Sequence, residues 1–174
     1  VRPKEGGTMT DDPVVHALGL LSQIGAEVPP TVADLVERLR NVNTELWSLE
    51  DQARTVTEDG PRGVLKRTMD KLNLHRAQLV SGIDAELVGL VPTPQPDAVP
   101  LACSAGTILD RLVVGTLRVT ALEAARDDRV GDARQQVHDL IAAAEADWAD
   151  LGKGRRRLPN AGMLKCYAEP PSGP

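Results

Sequence analysis

This sequence predicts an all-α fold: an antiparallel four-helix bundle built from two αα-hairpins, preceded by a short helix. Three observations lead there. Leu35, Leu39, Val42, Leu46, Leu49 and Ala53 are spaced alternately by four and three residues, which is the a/d seam of a helix packed on other helices. Leu65, Met69, Leu72, Leu79 and Ile83 repeat the rhythm, and Val137, Leu140, Ile141, Ala144, Trp148 and Leu151 form another apolar face. Aromatic residues are limited to Trp47, Trp148 and Tyr167, with no Phe, so the core must be aliphatic.

The elements follow in order. Residues 1–12 read as a disordered leader. Asp12-Pro13 is a helix-start signal, and a short helix from Pro13 to Ile24 is expected to stop at Gly25. After Pro29-Pro30, the Thr31-x-x-Asp34 spacing resembles a capping box and opens the first long helix, which runs to Arg54 or Thr55. Glu58 to Pro61 makes a turn, and a second helix runs from Pro61 to Leu87. These two make the hairpin 31–88.

Residues 91–100, rich in proline, read as a stiff extended linker. Thr107-x-x-Asp110 has capping-box spacing and starts the third helix, which continues to Asp127. A fourth runs from Asp132 to Leu151, giving the second hairpin, 104–151, within a bundle domain spanning 13–158. Residues 159–174 read as an extended tail. Arg38-Leu39 with Leu49-Glu50 and Arg111-Leu112 with Leu122-Glu123 hint at an internal duplication of the hairpin.

Composition removes several function classes. A net charge of −5 argues against a general nucleic-acid binder. The one dense basic run, Lys153 to Arg157, follows a helix, where cations suit the negative end of the dipole; a small anion site is the other reading. Cys103 and Cys166 are too few for a disulfide scaffold or a zinc site, and His16, His75 and His138 lie far apart. No metal and no cofactor are expected. No apolar run approaches the roughly 20 residues that span a bilayer, so no membrane partner is expected and the cytoplasm is the default location.

Asn43, Trp47, Glu50 and Arg54 follow the first seam one residue later, placing a polar ladder about 100° round the helix. Such a ladder is either a salt-bridge lock or the wall of a polar pocket, and Glu50–Arg54 is a favourable i, i+4 pair. Arg76 falls at the missing rung of the second seam, so it needs an acid partner, for which Glu50 and Asp51 are candidates, or an opening. Asn73 shares its helix face. Were the two polar faces to meet, amides, an acid and two guanidiniums would suit an anionic or polyhydroxylated ligand.

The same residues resemble a bacterial family known as domain of unknown function 4254. The first of its motifs is present as Asn43, Leu46, Trp47, Glu50, Asp51, Ala53 and Arg54. The second is similar to Met69-Asp70-x-Leu72-Asn73-x-x-Arg76 followed by Ile83-Asp84, the third to Gly106 through Leu112, and the last to Lys165-Cys166-Tyr167-Ala168-Glu169-Pro170. Where the family pattern has Asn-Asp after the second-motif arginine, this chain has Ala77-Gln78. The third motif here continues Val-Val-Gly-Thr-Leu-Arg118 without the usual Lys and aromatic. The resemblance implies an intracellular bacterial protein beside surface-glycan or specialised-metabolite enzymes and adds Asp70, Asp110, Lys165 and Tyr167 to the polar residues of interest.

Two functions compete. The first is a non-catalytic helical binding or scaffold protein, self-associating as a symmetric homodimer through leftover seam and serving biosynthetic enzymes. The second is a small enzyme acting on a sugar-like or anionic substrate. In it Glu50 or Asp70 does the acid/base work, and Asn43, Trp47, Arg54, Asn73, Arg76, Asp110, Lys165 and Tyr167 bind. No nucleophile–base pair or Gly-rich phosphate loop is present to strengthen the second.

Overall fold

The structure, a computed structural model, describes residues 12–24 and 27–159. The expected leader up to Asp11, the stop at Gly25 and the tail from Asn160, with Lys165 and Tyr167, lie outside the described residues. What is described is overwhelmingly helical.

Helix α1 spans Pro13–Leu20 and continues as a 3₁₀ turn, Leu21–Ile24. Asp12 caps it as its sequence suggests, Oδ1 accepting from the Val14 amide at 2.9 Å. Helix α2 spans Pro30–Thr55 and has no side-chain cap. Pro30 already fits the first helical position, where no N–H is needed, so the helix starts ahead of Thr31. The Thr31 hydroxyl instead donates to Glu86 Oε2 at 2.9 Å, across to the next helix.

Helix α3, Asp59–Val88, begins two residues before the proline expected to start it. Pro61 is tolerated there because the first-turn amides have no intrahelical partner. Helix α4, Ala105–Ala124, is capped by Ser104, whose Oγ accepts from the Thr107 amide at 3.2 Å. Thr107 is therefore inside the first turn, and the capping role expected of Thr107 and Asp110 falls away.

Helix α4 also ends three residues early. Arg126 takes a left-handed φ of 53°, the Arg126 amide reaches Glu123 O at 3.0 Å and the Asp127 amide reaches Leu122 O at 2.9 Å. This is a Schellman stop with arginine where glycine is usual. Helix α5 spans Val130–Gly152.

The proline-rich connection is not a bare linker. Its end, strand β1 (Val99–Pro100), pairs in parallel with strand β2 (Arg156–Arg157), and the Leu101 amide donates to Arg157 O at 2.9 Å. The chain entering α4 is thus stapled to the chain leaving α5.

The long helices pack in consecutive pairs, α2 on α3 and α4 on α5. Thr31 meets Glu86, and Arg38 Nη2 lies 3.5 Å from His75 Nε2. Partner numbers fall as α2 advances, so the pair runs antiparallel; Arg118–Gln136 and Glu123–Arg134 give the same sense for α4 and α5. Helix α4 is the hub, touching α1, α2, α3 and α5, while α1 and its 3₁₀ turn pack on α5. At that contact a Cβ on Gly152 would stand 2.1 Å from Gln23 O, so only glycine lets the two backbones approach.

The core gathers Leu39, Leu79, Ile83, Leu109, Leu112, Trp148 and Leu151, among others. Burial is uneven along the first pair. Fully buried positions of α2 stop at Leu46 and those of α3 begin at Leu79. Beyond them Leu49, Ala53, Leu65, Met69 and Leu72 are only half-buried. The heptad pattern runs on past the point where other helices cover it.

Candidate functional site

Asp110 is the centre of the polar interior. It sits on the second turn of α4, 8% exposed, facing α2 and α3. Its Oδ1 accepts from Arg76 Nε at 2.7 Å and from Asn43 Nδ2 at 3.0 Å, and its Oδ2 accepts from Arg76 Nη2 at 2.5 Å. Asn43, 3% exposed, uses the same amide nitrogen to donate to Leu39 O of its own helix at 3.0 Å. One residue from each of three helices is therefore joined at a single carboxylate. Arg76 fills the gap in its seam by pairing bidentately, the geometry its planar fork favours.

The hydrogen bonds to Asp110 raise the Arg76 pKa above its ordinary value; burial opposes this, while the charges of Asp110 and, more weakly, Glu50 reinforce it. Arg76 is thus a permanent cation whose charge is already answered. The acid partner expected among Glu50 and Asp51 turns out to be Asp110, because α4 rather than α2 faces the fork. Glu50 contributes only through its field.

A second junction lies two turns further along α3. Asp84 Oδ1 accepts from the Gly106 amide at 2.8 Å, satisfying a first-turn donor of α4. Burial pushes the Asp84 carboxyl up from its ordinary pKa, against hydrogen bonds from Ser104 and Gly106. A Cβ on Gly106 would stand 2.5 Å from Val80 O and 3.0 Å from Asp84 Oδ1, so α3 and α4 cross too closely for any other residue. Asp84 and Gly106 carry no role that spacing along one helix assigns. Their signal was present as a helix-start glycine and an acid on an apolar face, but only the crossing joins them.

The remaining candidates do not converge. Glu50, Asp70 and Asn73 are exposed. Arg54 pairs with Asp51 at 3.4 Å, its side chain 76% exposed, rather than with Glu50. Asn73, though three residues from Arg76, lies on the solvent side of that face. Trp47 is half-buried and serves a different feature, a groove of about 610 Å³ between the C-terminal halves of α2 and α4. Trp47, Leu117, Ala121 and Ala124 give it apolar walls, and Thr44, Ser48, Asp51 and Thr120 edge it.

The basic run after α5 is engaged by that helix: Arg155 pairs with Asp150, and Arg156 Nη2 lies 3.6 Å from Asp147. This local neutralisation favours the helix-end reading over an anion site. Among the described residues no group of three or more His, Cys, Asp or Glu could hold a metal ion, and no helix is long and apolar enough to cross a membrane.

The profile of a family described as "Protein of unknown function (DUF4254)" matches residues 33–160, most of the chain. All the residues of both polar junctions fall inside that span. No curated protein and no solved structure matches the chain.

Proposed function

This chain belongs to the DUF4254 family, and from that premise we propose that it is a non-catalytic helical binding or scaffold protein. The groove between α2 and α4 is the observation that carries the reading. It is apolar, open and long enough for about three helical turns, since Thr44 and Thr55 are eleven helical steps apart at about 1.5 Å each. Helix α1 packs on α4 and α5. Its cap residue Asp12 pairs with Arg40 at 2.6 Å, one turn below Thr44.

The polar interior supports the same reading. Asn43, Arg76 and Asp110 satisfy one another, which suits a lock that fixes how α2, α3 and α4 meet. The four long helices then make an antiparallel four-helix bundle with α1 beside it. The family resemblance and the sparse cysteines fit a bacterial cytoplasmic protein assisting glycan or specialised-metabolite enzymes.

Metabolite profiling of a deletion strain complemented with variants tests the proposal. Glu50→Gln and Asp70→Asn are expected to restore the wild-type profile, and Ala121→Trp, which fills the groove, is expected not to. A lost profile for Glu50→Gln or Asp70→Asn with unchanged melting would replace the binding role by acid/base catalysis. Full rescue by Ala121→Trp would remove the groove from the function.

A further inference from the structure

The groove has a counterpart elsewhere on the same chain. Val64, Arg67, Lys71 and Leu74 are spaced by three, four and three residues, so they form one stripe on α3. All four are exposed; Val64 and Leu74 are 55% and 48% exposed. The stripe runs along the half of α3 that contributes no fully buried residue to the core. Neither Arg67 nor Lys71 forms an ion pair among the described residues.

The groove has the opposite character. Asp51, 3.4 Å from the exposed Arg54 of its own helix, stands on its edge, and Glu45, outside the lining, is exposed beside Thr44, with Trp47, Leu117, Ala121 and Ala124 between the helices. One surface is thus a stripe with two cations between apolar ends, and the other an apolar trough with the carboxylate of Asp51 on its edge. The two are similar in length, and the cations of the one are opposite in sign to the carboxylates near the other. Ten helical steps from Val64 to Leu74 cover about 15 Å, against about 17 Å of groove.

We infer that the groove's occupant is a second copy of this chain, whose α3 stripe Val64–Leu74 lies along α2 and α4 with Arg67 and Lys71 toward Asp51 and Glu45. The inference rests on the groove being a binding surface and names its partner. Stripe and groove are different patches, so each copy brings one of each. The apolar contact supplies the affinity and the charges set the register and the encounter rate. That makes self-association weaken as salt rises.

Sedimentation velocity on the full chain, from micromolar to near-millimolar concentration, tests it. The wild type is expected to gain mass with concentration, and Ala121→Glu and Leu74→Glu each to remain monomeric. Asp51→Lys and Lys71→Glu are each expected to weaken association about tenfold, and an equimolar mixture of the two to recover it, because each then meets its complement. Circular dichroism confirms the fold of each variant; Thr120→Arg, at an exposed position of the same wall, replaces Ala121→Glu if that variant melts early.

A wild type that stays monomeric throughout, or association that survives both Leu74→Glu and the groove variant, overturns the inference. The binding reading itself is judged separately, by whether Ala121→Trp rescues the deletion strain. A monomeric wild type with failed Ala121→Trp rescue would leave the groove to a different partner.

Discussion

Asp110 stands three residues past a threonine with cap spacing, and nothing in its neighbourhood of sequence marks it as the partner of Arg76. The contact decides its role. It takes hydrogen bonds from residues 34 and 67 positions away, on α3 and α2. Removing the fork leaves a carboxylate with a side chain only 11% exposed and one amide for company. Arg76→Met is therefore expected to cost about 3 kcal/mol, the low end of the range for breaking a buried pair because Arg76 keeps some solvent. Replacing all three members by apolar residues, Asn43→Leu, Arg76→Met and Asp110→Leu, is expected to recover most of that loss in denaturant melts, since an absent pair leaves nothing unpaired. Asp12 gives a pH-dependent counterpart. Burial pushes its pKa up, but the hydrogen bonds from Arg40 and the Val14 amide outweigh this and the net shift is downward. A lowered folded-state pKa means that its stabilisation is present above the ordinary carboxylate value and lost as pH falls through the acid range. Asn keeps the cap but not the charge, so the wild type should exceed Asp12→Asn by about 0.5–1 kcal/mol at neutral pH. Thermal melts at descending pH should show that margin closing.

At the scale of elements, helix ends were the least legible feature. Thr31 and Thr107 both have the residue type and spacing of caps, yet Pro30 and Ser104 start the helices, because a cap competes with every other polar group one or two residues upstream. The stop of α4 is similar: Arg126 carries a left-handed φ that no sequence rule would assign to arginine. The helix bodies were legible. Leu39 and Leu112, equivalent in the suspected duplication, are both fully buried, and Arg38 and Arg111 beside them are both exposed. Where two elements cross, Gly106 sets the separation. Gly106→Ala is expected to lower stability by about 1–3 kcal/mol, the cost of forcing a Cβ against the Val80 carbonyl. Helicity should persist, because alanine favours the helix itself, so the loss will appear in urea melts rather than in the far-ultraviolet spectrum.

For the molecule as a whole, the first hairpin is predicted to be stable at one end and labile at the other. Fully buried residues hold α2 up to Leu46 and α3 from Leu79 onward, and the polar lock joins them near that boundary. Hydrogen exchange of the dilute protein should therefore be slow at Leu39–Leu46 and Leu79–Leu87 and faster across 49–72, where the seam is half-buried. Uniform protection along the hairpin would contradict this. The periodicity of the apolar residues determined by itself that the chain is helical, roughly where each helix runs, and that Arg76 needed an acid, because these depend on spacing along one helix and on the cost of burying a lone charge. Only the tertiary structure decided which acid, that Asp84 and Gly106 form a second junction, and that the ladder Asn43, Trp47, Glu50 and Arg54 divides between a buried lock, a groove wall and open surface. The physical reason is that a helix repeats its faces in register with its own sequence, whereas what each face meets depends on how far the neighbouring helices extend beside it.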